Sequence, residues 1–324
     1  MRRNRKEIPA LYWLARELKV TRICLARVLG IIRQNRSPYR IVQIDKSDGG
    51  KREISIPVKS LKIIQRRIIR FLLRDYNVVK NVYGFSGGNV IDAIKPHLNA
   101  RVILCLDIKD AFSSVSTERV RDFLLSGREV WLSFGGYKVE KYGLLSWHAA
   151  KIVTELTTHR HRLPQGAPTS PRLFDLTCWK LDLRLSRLAK ANNGNYTRYA
   201  DNIFFSVNSG ELRVQTLNAV VRATKRFGFV PHKIRIRNLS NAVRMLGLNI
   251  INGEIHNTRE FKRNLRLSIH HVSWLLGNKG TKILELRKAW RRLQGQMAFA
   301  RTDTLPQRLL DSYYEVEERV HEKI

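Results

Sequence analysis

The stretch RVILCLDIKDAF, residues 101–112, places a carboxylate at the end of a buried strand. Apart from the first arginine, the residues before Asp107 are apolar and predict a strand of the core. A carboxylate in that position is costly to desolvate unless it is paired with a cation or binds a metal. The stretch therefore predicts one strand of a central sheet and one candidate metal ligand.

A second acid of the same kind is Asp201, within NYTRYADNIFFSVN (195–208). Apolar residues flank Ala200-Asp201-Asn202, which predicts a hairpin with these residues at its tip. If the two strands are neighbours, Asp107 and Asp201 form a pair that attracts Mg²⁺, as two-metal phosphoryl transfer requires. In that chemistry one ion activates an attacking 3′-hydroxyl and the other steadies a leaving pyrophosphate. Taken singly, each acid is also compatible with a solvated turn.

The charge balance indicates a polyanionic partner. The 324 residues include 60 Lys+Arg and 27 Asp+Glu, a formal net charge of +33. Such an excess repels itself unless a polyanion neutralises it, and nucleic acid is the commonest one. An acidic membrane surface is the competing partner, but no apolar run approaches the roughly 18 residues of a membrane span, so we expect no membrane. A hydrophobic content of 43% excludes a disordered basic tail.

The cysteines and the first residues bear on location. Cys24, Cys105 and Cys178 lie far apart and form no zinc-ligand spacing with each other or with histidine. A sparse, odd cysteine count fits a reducing compartment, and the start MRRNRKEIPALYW is too polar for a secretory signal. We therefore expect a protein of the cytoplasm.

Helical and strand patterns alternate along the chain. A helical pair at 8–34, with Thr21 capping its second member, also fits a DNA-reading helix-turn-helix, but no other feature indicates duplex readout. Residues 129–162 show no clear pattern. Further predicted elements are a hairpin at 39–57, helices at 59–76, 92–97, 116–126, 172–191 and 210–227, strands at 229–237 and 243–256, and helices at 258–277, at 281–300 and in the tail.

Three segments in order resemble the palm motifs of reverse transcriptases: LCLDIKDAF (104–112), LPQGAPTSP (163–171) and YADN (199–202). The segments KSDGGKREISIP and LKIIQRRI are similar to the fingers of bacterial enzymes of the retron type, and NLRLSIHH and LQGQMAFA to their thumb. The resemblance implies an α+β right-hand polymerase with an antiparallel palm sheet and a helical thumb.

The resemblance also implies a domain order. It places an N-terminal helical extension at 1–38, fingers at 39–100 and a palm at 101–256 with finger insertions at about 125–165. A helical thumb follows at 257–324.

The catalytic residues that the resemblance implies lie on the two acid segments. Asp107 and Asp201 would bind two Mg²⁺ ions, for which Mn²⁺ can substitute, and the carbonyl of Ile108 would be a further ligand. Asn202 stands at the position where the family has the second aspartate of the hairpin tip.

The incoming deoxynucleoside triphosphate (dNTP) also has implied contacts. Phe112 would crowd a 2′-hydroxyl and so select deoxynucleotides. Both Phe112 and Tyr199 could instead be ordinary core aromatics. The other implied nucleotide contacts are Arg52 with Lys51 or Lys46 on the triphosphate, the backbone amides of Asp110 and Ala111 on the phosphates, and Gln165 and Gly166 against the nucleotide and the template base.

Template and primer contacts are implied in three places. Tyr199 would pack near the primer end, and Arg235 stands where the family usually has a lysine. On the thumb helix containing RKAWRR, Arg287 would follow the duplex backbone while Trp290 packs or stacks. The alternative for the basic helices is a solvated face, which the charge of +33 makes the weaker interpretation.

Asn202 is the main departure from the family pattern, because an amide is a poor Mg²⁺ ligand. It is either an engineered change, a natural variant that stays active on Asp107 and Asp201, or the mark of a non-catalytic RNA-binding scaffold. An RNA-dependent RNA polymerase is a further alternative, against which Phe112 argues. Altered motifs, such as RMLGLNI (244–250), leave open a retron enzyme proper or another defence-associated reverse transcriptase.

The resemblance further implies the partners. They are a dedicated, structured non-coding RNA as template, an RNA–DNA hybrid or single-stranded DNA product, and dNTPs. The implied role is antiphage defence alongside an effector that would be a separate protein. A 2′-hydroxyl of the RNA and a protein hydroxyl both remain candidate priming groups.

Overall fold

The computed structural model describes residues 7–34, 36–45, 49–74, 76, 78–126, 145–278 and 280–323, which form two compact units. The first comprises Met1–Pro96 and Ile103–Ile236, and the second His97–Val102 and Arg237–Ile324. The strands are β1 Tyr39–Asp45, β2 Lys51–Pro57, β3 Val82–Tyr83, β4 Val102–Ile108, β5 Gly194–Tyr199, β6 Asn202–Val207, β7 Pro231–Asn238, β8 Val243–Met245, β9 Leu248–Ile251 and β10 Glu254–Asn257.

Helices separate these strands. They are α1 Glu7–Glu17, α2 Arg22–Arg33, α3 Lys59–Phe71, α4 Val90–Ile94, α5 Thr117–Ser126, α6 Trp147–Thr157, α7 Thr169–Thr177, α8 Trp179–Ala191, α9 Val214–Arg226, α10 Arg259–Gly277, α11 Ile283–Phe299 and α12 Gln307–Lys323. In the described part of the chain, no helix combines the length and apolarity needed to cross a membrane.

A five-stranded sheet in the order β3-β5-β6-β4-β7 is the frame of the first unit. Strands β5 and β6 form the predicted hairpin, with antiparallel pairing from Gly194↔Val207 to Tyr199↔Asn202. The short strand β3 pairs with β5 in parallel. Because β6 and β4 are neighbours, the hairpin tip lies beside the acid-bearing end of β4.

A separate antiparallel hairpin, β1–β2, precedes α3. Its register runs from Tyr39↔Pro57 to Asp45↔Lys51. The first two residues of β2, Lys51 and Arg52, are exposed, whereas Ser55 and Pro57 are buried. Lys46, a predicted contact of the triphosphate, lies outside the described residues.

The N-terminal helical pair forms as expected from its cap. The Thr21 hydroxyl accepts a hydrogen bond from the Cys24 amide at 3.2 Å and begins α2. Buried leucines include Leu14 of α1 and Leu25 of α2, and Leu18, just after the end of α1, is buried as well.

The second unit contains an antiparallel sheet in the order β10-β9-β8 and the helices α10, α11 and α12. Apolar residues of the three helices share one core cluster, among them Leu265, Leu286, Trp290 and Tyr313. Asn257, at the end of β10, donates from its side chain to the Arg301 carbonyl at 2.6 Å and to Thr304 Oγ1 at 2.8 Å. These bonds join the small sheet to the segment between α11 and α12.

Two expectations from the sequence need correction. The predicted helix at 172–191 is two helices, α7 and α8, separated at Cys178. The unpatterned region at 129–162 contains α6, and its residues 129–144 lie outside the described part of the chain. The boundary between the two compact units falls near residue 236, so the strands β8–β10 are in the same unit as the helices α10–α12.

Candidate active site

The structure brings the two acid-bearing segments together. Asp107 is the penultimate residue of β4, and Asp201 is in the two-residue turn between β5 and β6. The amide of Ile108 donates to the carbonyl of Asp201 at 2.9 Å. Both carboxylates line one cleft of about 840 Å³ in the first unit.

The electrostatics of the acids favour a bound cation. Burial raises the pKa of Asp107, which nearby Lys233 and His232 oppose. His232 Nδ1 lies 3.8 Å from Asp107 Oδ2. Burial also raises the pKa of Asp201, and the charge of Asp107 raises it further. Two partly desolvated carboxylates that repel each other are a site at which a cation relieves an unfavourable charge.

A divalent ion fits the oxygen donors at this edge of the sheet. Carboxylate and carbonyl oxygens are the ligands that Mg²⁺ prefers. The described residues contain no cluster of three or more metal-ligating His, Cys, Asp or Glu side chains. A cation here would therefore be held by Asp107 and Asp201 and completed by oxygens of another kind, such as the predicted Ile108 carbonyl and the substrate.

Asn202 contributes a hydrogen bond to this site. Its Nδ2 donates to Asp201 Oδ1 at 3.0 Å. The side chain is half-buried, and Asn202 is not one of the residues lining the cleft. The amide thus holds one oxygen of Asp201 without adding a negative charge.

The segment after Asp107 forms one wall of the cleft. Asp110 has a left-handed φ of +49°, and its carbonyl accepts from the Ser114 amide at 2.9 Å, so the chain turns sharply. Asp110, Ala111 and Phe112 all line the cleft. The Phe112 ring centroid lies 5.6 Å from that of Phe85 and 5.8 Å from that of Phe174. Phe112 thus combines a packed ring with a face on the cleft.

The opposite wall comes from β2 and the LPQGAPTSP loop. Lys51, Arg52 and Gln165 line the cleft. The Ser55 amide donates to the Gln165 carbonyl at 2.7 Å, which fixes the loop on β2. Gly166 has a φ of +107°, and a Cβ there would lie 2.7 Å from Ile54 Cγ2. A side chain at this position would therefore push the loop off the strand.

Five predicted contacts are not lining residues of the cleft. Tyr199 is half-buried beside Gly84, and neither Tyr199 nor Gly166 is a lining residue of the cleft. Arg235 is exposed on β7, and Arg287 is exposed on α11 in the second unit. Trp290 needs correction as a nucleic-acid contact. It is only 6% exposed, and its ring stacks on Tyr313 with centroids 5.7 Å apart, so it packs inside the helical core.

Several cationic lining residues were not predicted. Arg160 and Arg162 come from a tight turn in which Arg160 and His161 have φ values of +49° and +62°. Lys109 and Lys233 also line the cleft. The run THRHR before LPQG was the only sequence signal for the turn. With Lys51 and Arg52, the lining has more lysine and arginine than aspartate and glutamate, which suits a polyanionic ligand.

Comparisons with known proteins agree with this arrangement. Residues 44–250 match the family described as reverse transcriptase (RNA-dependent DNA polymerase). The retron Mx65 reverse transcriptase of Myxococcus xanthus is 32% identical over 243 residues, 72% of this chain and 55% of the relative. The retron Ec86 reverse transcriptase of Escherichia coli is 28% identical over 259 residues, 78% of this chain and 76% of the relative. The chain thus spans about half the length of the first of these relatives.

A solved structure gives a weaker likeness. The apo telomerase from Candida tropicalis, truncated from its C-terminal domain, superposes with a TM-score of 0.47 and 14% identity. The match covers 68% of this chain and 55% of the telomerase chain. A likeness at this level adds nothing to the family match.

Proposed function

Since the chain belongs to the reverse transcriptase (RNA-dependent DNA polymerase) family and is of the bacterial retron type, we propose that it copies RNA into DNA at the cleft that holds Asp107 and Asp201. The observation that carries the proposal is this pair of carboxylates in a cleft that is otherwise rich in cations. In this proposal the first unit contains fingers and palm, and the helices α10–α12 belong to the thumb.

The proposed nucleotide is a dNTP. Arg52 and Lys51, exposed at the start of β2, bind the triphosphate, because a guanidinium makes bidentate contacts with phosphate oxygens. The amides of Asp110 and Ala111 donate to the phosphates. Phe112 closes the space that a 2′-hydroxyl would need, and its contacts with Phe85 and Phe174 hold the ring in place.

The other side of the nucleotide faces the LPQGAPTSP loop. Gln165 and Gly166 lie against the nucleotide and the template base in this proposal. The hydrogen bond from Ser55 to Gln165 supports it, because the bond fixes the loop to the strand that carries Arg52. A base placed there meets a wall whose position is set by the backbone.

Asp107 and Asp201, with the Ile108 carbonyl, hold two Mg²⁺ ions in this proposal, for which Mn²⁺ can substitute. When bound, the ions would supply Lewis acidity at the 3′-hydroxyl and at the leaving pyrophosphate. The chain's own contribution is to hold the two carboxylates at one edge of the sheet. Lys233 and His232 beside Asp107 balance part of the charge.

Template and primer lie against cationic and aromatic groups in this proposal. Tyr199 packs near the primer end, and Arg235 is exposed on β7 for phosphate contact. On α11, Arg287, Lys288 and Arg291 are exposed while Trp290 faces the core, which gives the helix a basic outer face. Such a face reads a duplex by its backbone and shape rather than by base sequence.

The proposed template is a dedicated, structured non-coding RNA that stays bound, and the product is single-stranded DNA first held as an RNA–DNA hybrid. The net charge of +33 supports a larger RNA partner than a short primer and template. The proposed role is antiphage defence in the bacterial cytoplasm, together with a separate effector protein.

Primer extension tests the proposal. An RNA template with an annealed DNA primer, dNTPs and Mg²⁺ would be supplied to the chain and to its Asn202→Asp form. We expect extension that Asp107→Asn reduces at least about 100-fold. Asp122→Asn, at an exposed aspartate of α5, is the matched control and should leave the rate unchanged. No extension by either form, or extension that survives Asp107→Asn, would overturn the proposal.

A non-catalytic RNA-binding scaffold is a second candidate, which the neutral Asn202 beside Asp201 favours. It predicts that the chain binds structured RNA tightly and that Asn202→Asp does not create extension. RNA binding and extension measured on the same two preparations separate the two functions.

A further inference from the structure

The turn that carries Asp201 contains an unusual backbone conformation. Ala200 has a φ of +54°, in the left-handed region that residues with a side chain rarely adopt. Glycine would be the ordinary residue in this conformation. The amide of Ala200 is held by the Tyr83 carbonyl at 3.2 Å, which leaves its carbonyl to be fixed by another group.

A buried arginine fixes that carbonyl. Arg198 is fully buried, and its Nη1 donates to the Ala200 oxygen at 2.9 Å. The same guanidinium grips Asp182 with two bonds, Nε to Oδ1 at 2.8 Å and Nη2 to Oδ2 at 2.9 Å. Nη1 also donates to Asp175 Oδ1 at 2.7 Å, and Nη2 to the Asp175 carbonyl at 3.4 Å. These contacts account for all five N–H donors of an arginine side chain.

The carboxylates tie Arg198 to the body of the first unit. Asp175 belongs to α7 and Asp182 to α8, and both side chains are almost completely buried. Tyr196 donates its hydroxyl to Asp182 Oδ1 at 2.6 Å. A charge buried this deeply is tolerated only when it is paired and hydrogen-bonded, as here.

The network also reaches the wall of the cleft that carries Phe112. Ser86 donates to Asp175 Oδ2 at 2.6 Å, and the neighbouring Phe85 packs on Phe112. The Phe174 ring, next to Asp175 in the chain, lies 5.4 Å from the Arg198 guanidinium and 5.8 Å from the Phe112 ring. One buried ion-pair network thus touches the hairpin turn and the supports of Phe112.

We infer that Arg198, anchored by Asp175 and Asp182, is a positioning residue that holds the turn at Ala200 and so sets the place of the Asp201 carboxylate. The inference rests on the proposed function, since Asp201 matters to catalysis only if the chain is a polymerase. Arg198 acts through the backbone of its own hairpin and does not touch the cleft.

The test uses Arg198→Lys, which keeps the charge but cannot make all the guanidinium contacts. We expect kcat for primer extension to fall at least about tenfold while KM for dNTP changes less than about threefold, since Asp201 moves and Arg52 does not. Mn²⁺ binding to the free protein, followed by electron paramagnetic resonance, should weaken at least about threefold. Unchanged kcat and Mn²⁺ affinity would reduce Arg198 to a core ion pair and overturn the inference.

Rescue by glycine adds a readout that a merely structural role would not move. Glycine adopts a φ of +54° without the hydrogen bond from Arg198 to the residue 200 carbonyl. Ala200→Gly in the Arg198→Lys background should therefore recover at least about threefold in kcat. In the wild-type background the same change should give no gain. A gain of the same size in both backgrounds, or in neither, contradicts the inference.

Three further variants keep the test decisive. Arg172→Lys is the matched control. Arg172 lies on α7, as Asp175 does, but it donates to the backbone carbonyls of Leu73 and Tyr76 and not to the hairpin. It should leave kcat and Mn²⁺ affinity unchanged. If Arg198→Lys does not fold, Asp175→Asn and Ser86→Ala weaken the contacts that hold Arg198 through Asp175. Both variants should lower kcat and Mn²⁺ affinity.

The two proposals fail separately. If neither wild type nor Asn202→Asp extends a primer, the proposed function is wrong, whereas the Mn²⁺ affinity of Arg198→Lys against wild type still decides the role of Arg198. If primers are extended and Arg198→Lys matches wild type in kcat and Mn²⁺ affinity, only the role of Arg198 is wrong.

Discussion

The backbone amide of Ile108 donates a hydrogen bond to the carbonyl oxygen of Asp201 at 2.9 Å. This bond joins the end of β4 to the turn between β5 and β6, and so places Asp107 and Asp201 on one edge of the sheet. The two acids are far apart in the sequence, and neither alone identifies a metal site. Their shared cleft gives them the arrangement of a cation site.

Asn202→Asp should preserve the fold and raise DNA synthesis. The substitution replaces an amide that donates to Asp201 by a second negative charge beside it, which strengthens attraction for divalent ions. Primer extension by the two forms at equal concentration measures the effect. Equal activity, or no activity in either, contradicts the prediction.

Asp201→Asn should raise the melting temperature in the presence of a chelator. The pKa of Asp201 is raised by burial and by the charge of Asp107, so the ionised form is disfavoured in the folded protein. The neutral amide removes that repulsion. Differential scanning calorimetry of both proteins, in chelator and in Mg²⁺, measures the two melting temperatures. A lower melting temperature for Asp201→Asn than for the wild type in chelator would count against a shared site.

Phe112→Ala should admit ribonucleotides. Removing the ring opens the space in which a 2′-hydroxyl would lie, so the preference for dNTP over NTP should fall at least about tenfold. The ratio of kcat/KM values for the two nucleotides is the measurement. An unchanged ratio would assign Phe112 to packing with Phe85 and Phe174. Efficient NTP use by the wild-type chain would instead favour an RNA polymerase.

Binding to structured RNA should weaken steeply with salt. Each arginine that binds a phosphate from the basic face of α11 should add about 0.7 to 0.9 to the slope of log Kd against log salt, so Arg287→Gln and Arg291→Gln each flatten it. Arg319→Gln is the matched control, because Arg319 lies 3.8 Å from Glu315 on the more acidic helix α12. An affinity that does not depend on salt would exclude the proposed binding mode.

Acid should destabilise the second unit through His97. Burial lowers the pKa of His97 from 6.5 to about 3, so the unfolded chain takes up a proton that the folded chain does not. Stability from this residue is complete above pH 6.5 and is lost as the pH falls towards 3. Denaturant unfolding at several pH values should show a slope steeper than in His97→Gln by up to about 1.4 kcal/mol per pH unit. Equal slopes in the two proteins would contradict this account.

The strands and the acids of the site were predictable because their signals are local. The apolar residues on both sides of Ala200-Asp201-Asn202 predicted the hairpin, and the apolar run before Asp107 predicted β4. The network of Arg198, Asp175 and Asp182 was not predictable, since only folding brings a strand and two helices together around one guanidinium.

The correction at Trp290 has a different cause. The sequence left open whether Trp290 packs or stacks, and Leu286, Trp290 and Leu293 recur at helical spacing and share the buried face of α11. This apolar spacing over two helical turns indicates the buried position of Trp290, which its arginine neighbours do not. The arginines on the other face remain exposed.

Mn²⁺ binding to wild type, Asp107→Asn, Asp201→Asn and the double variant is the measurement that bears most directly on the shared site. Electron paramagnetic resonance reports the affinity without depending on turnover. We predict that either single change weakens binding at least about tenfold and that the double variant loses little more, because both side chains hold the same ions. Affinity that is unchanged in both single variants, or losses that simply add, would contradict the account.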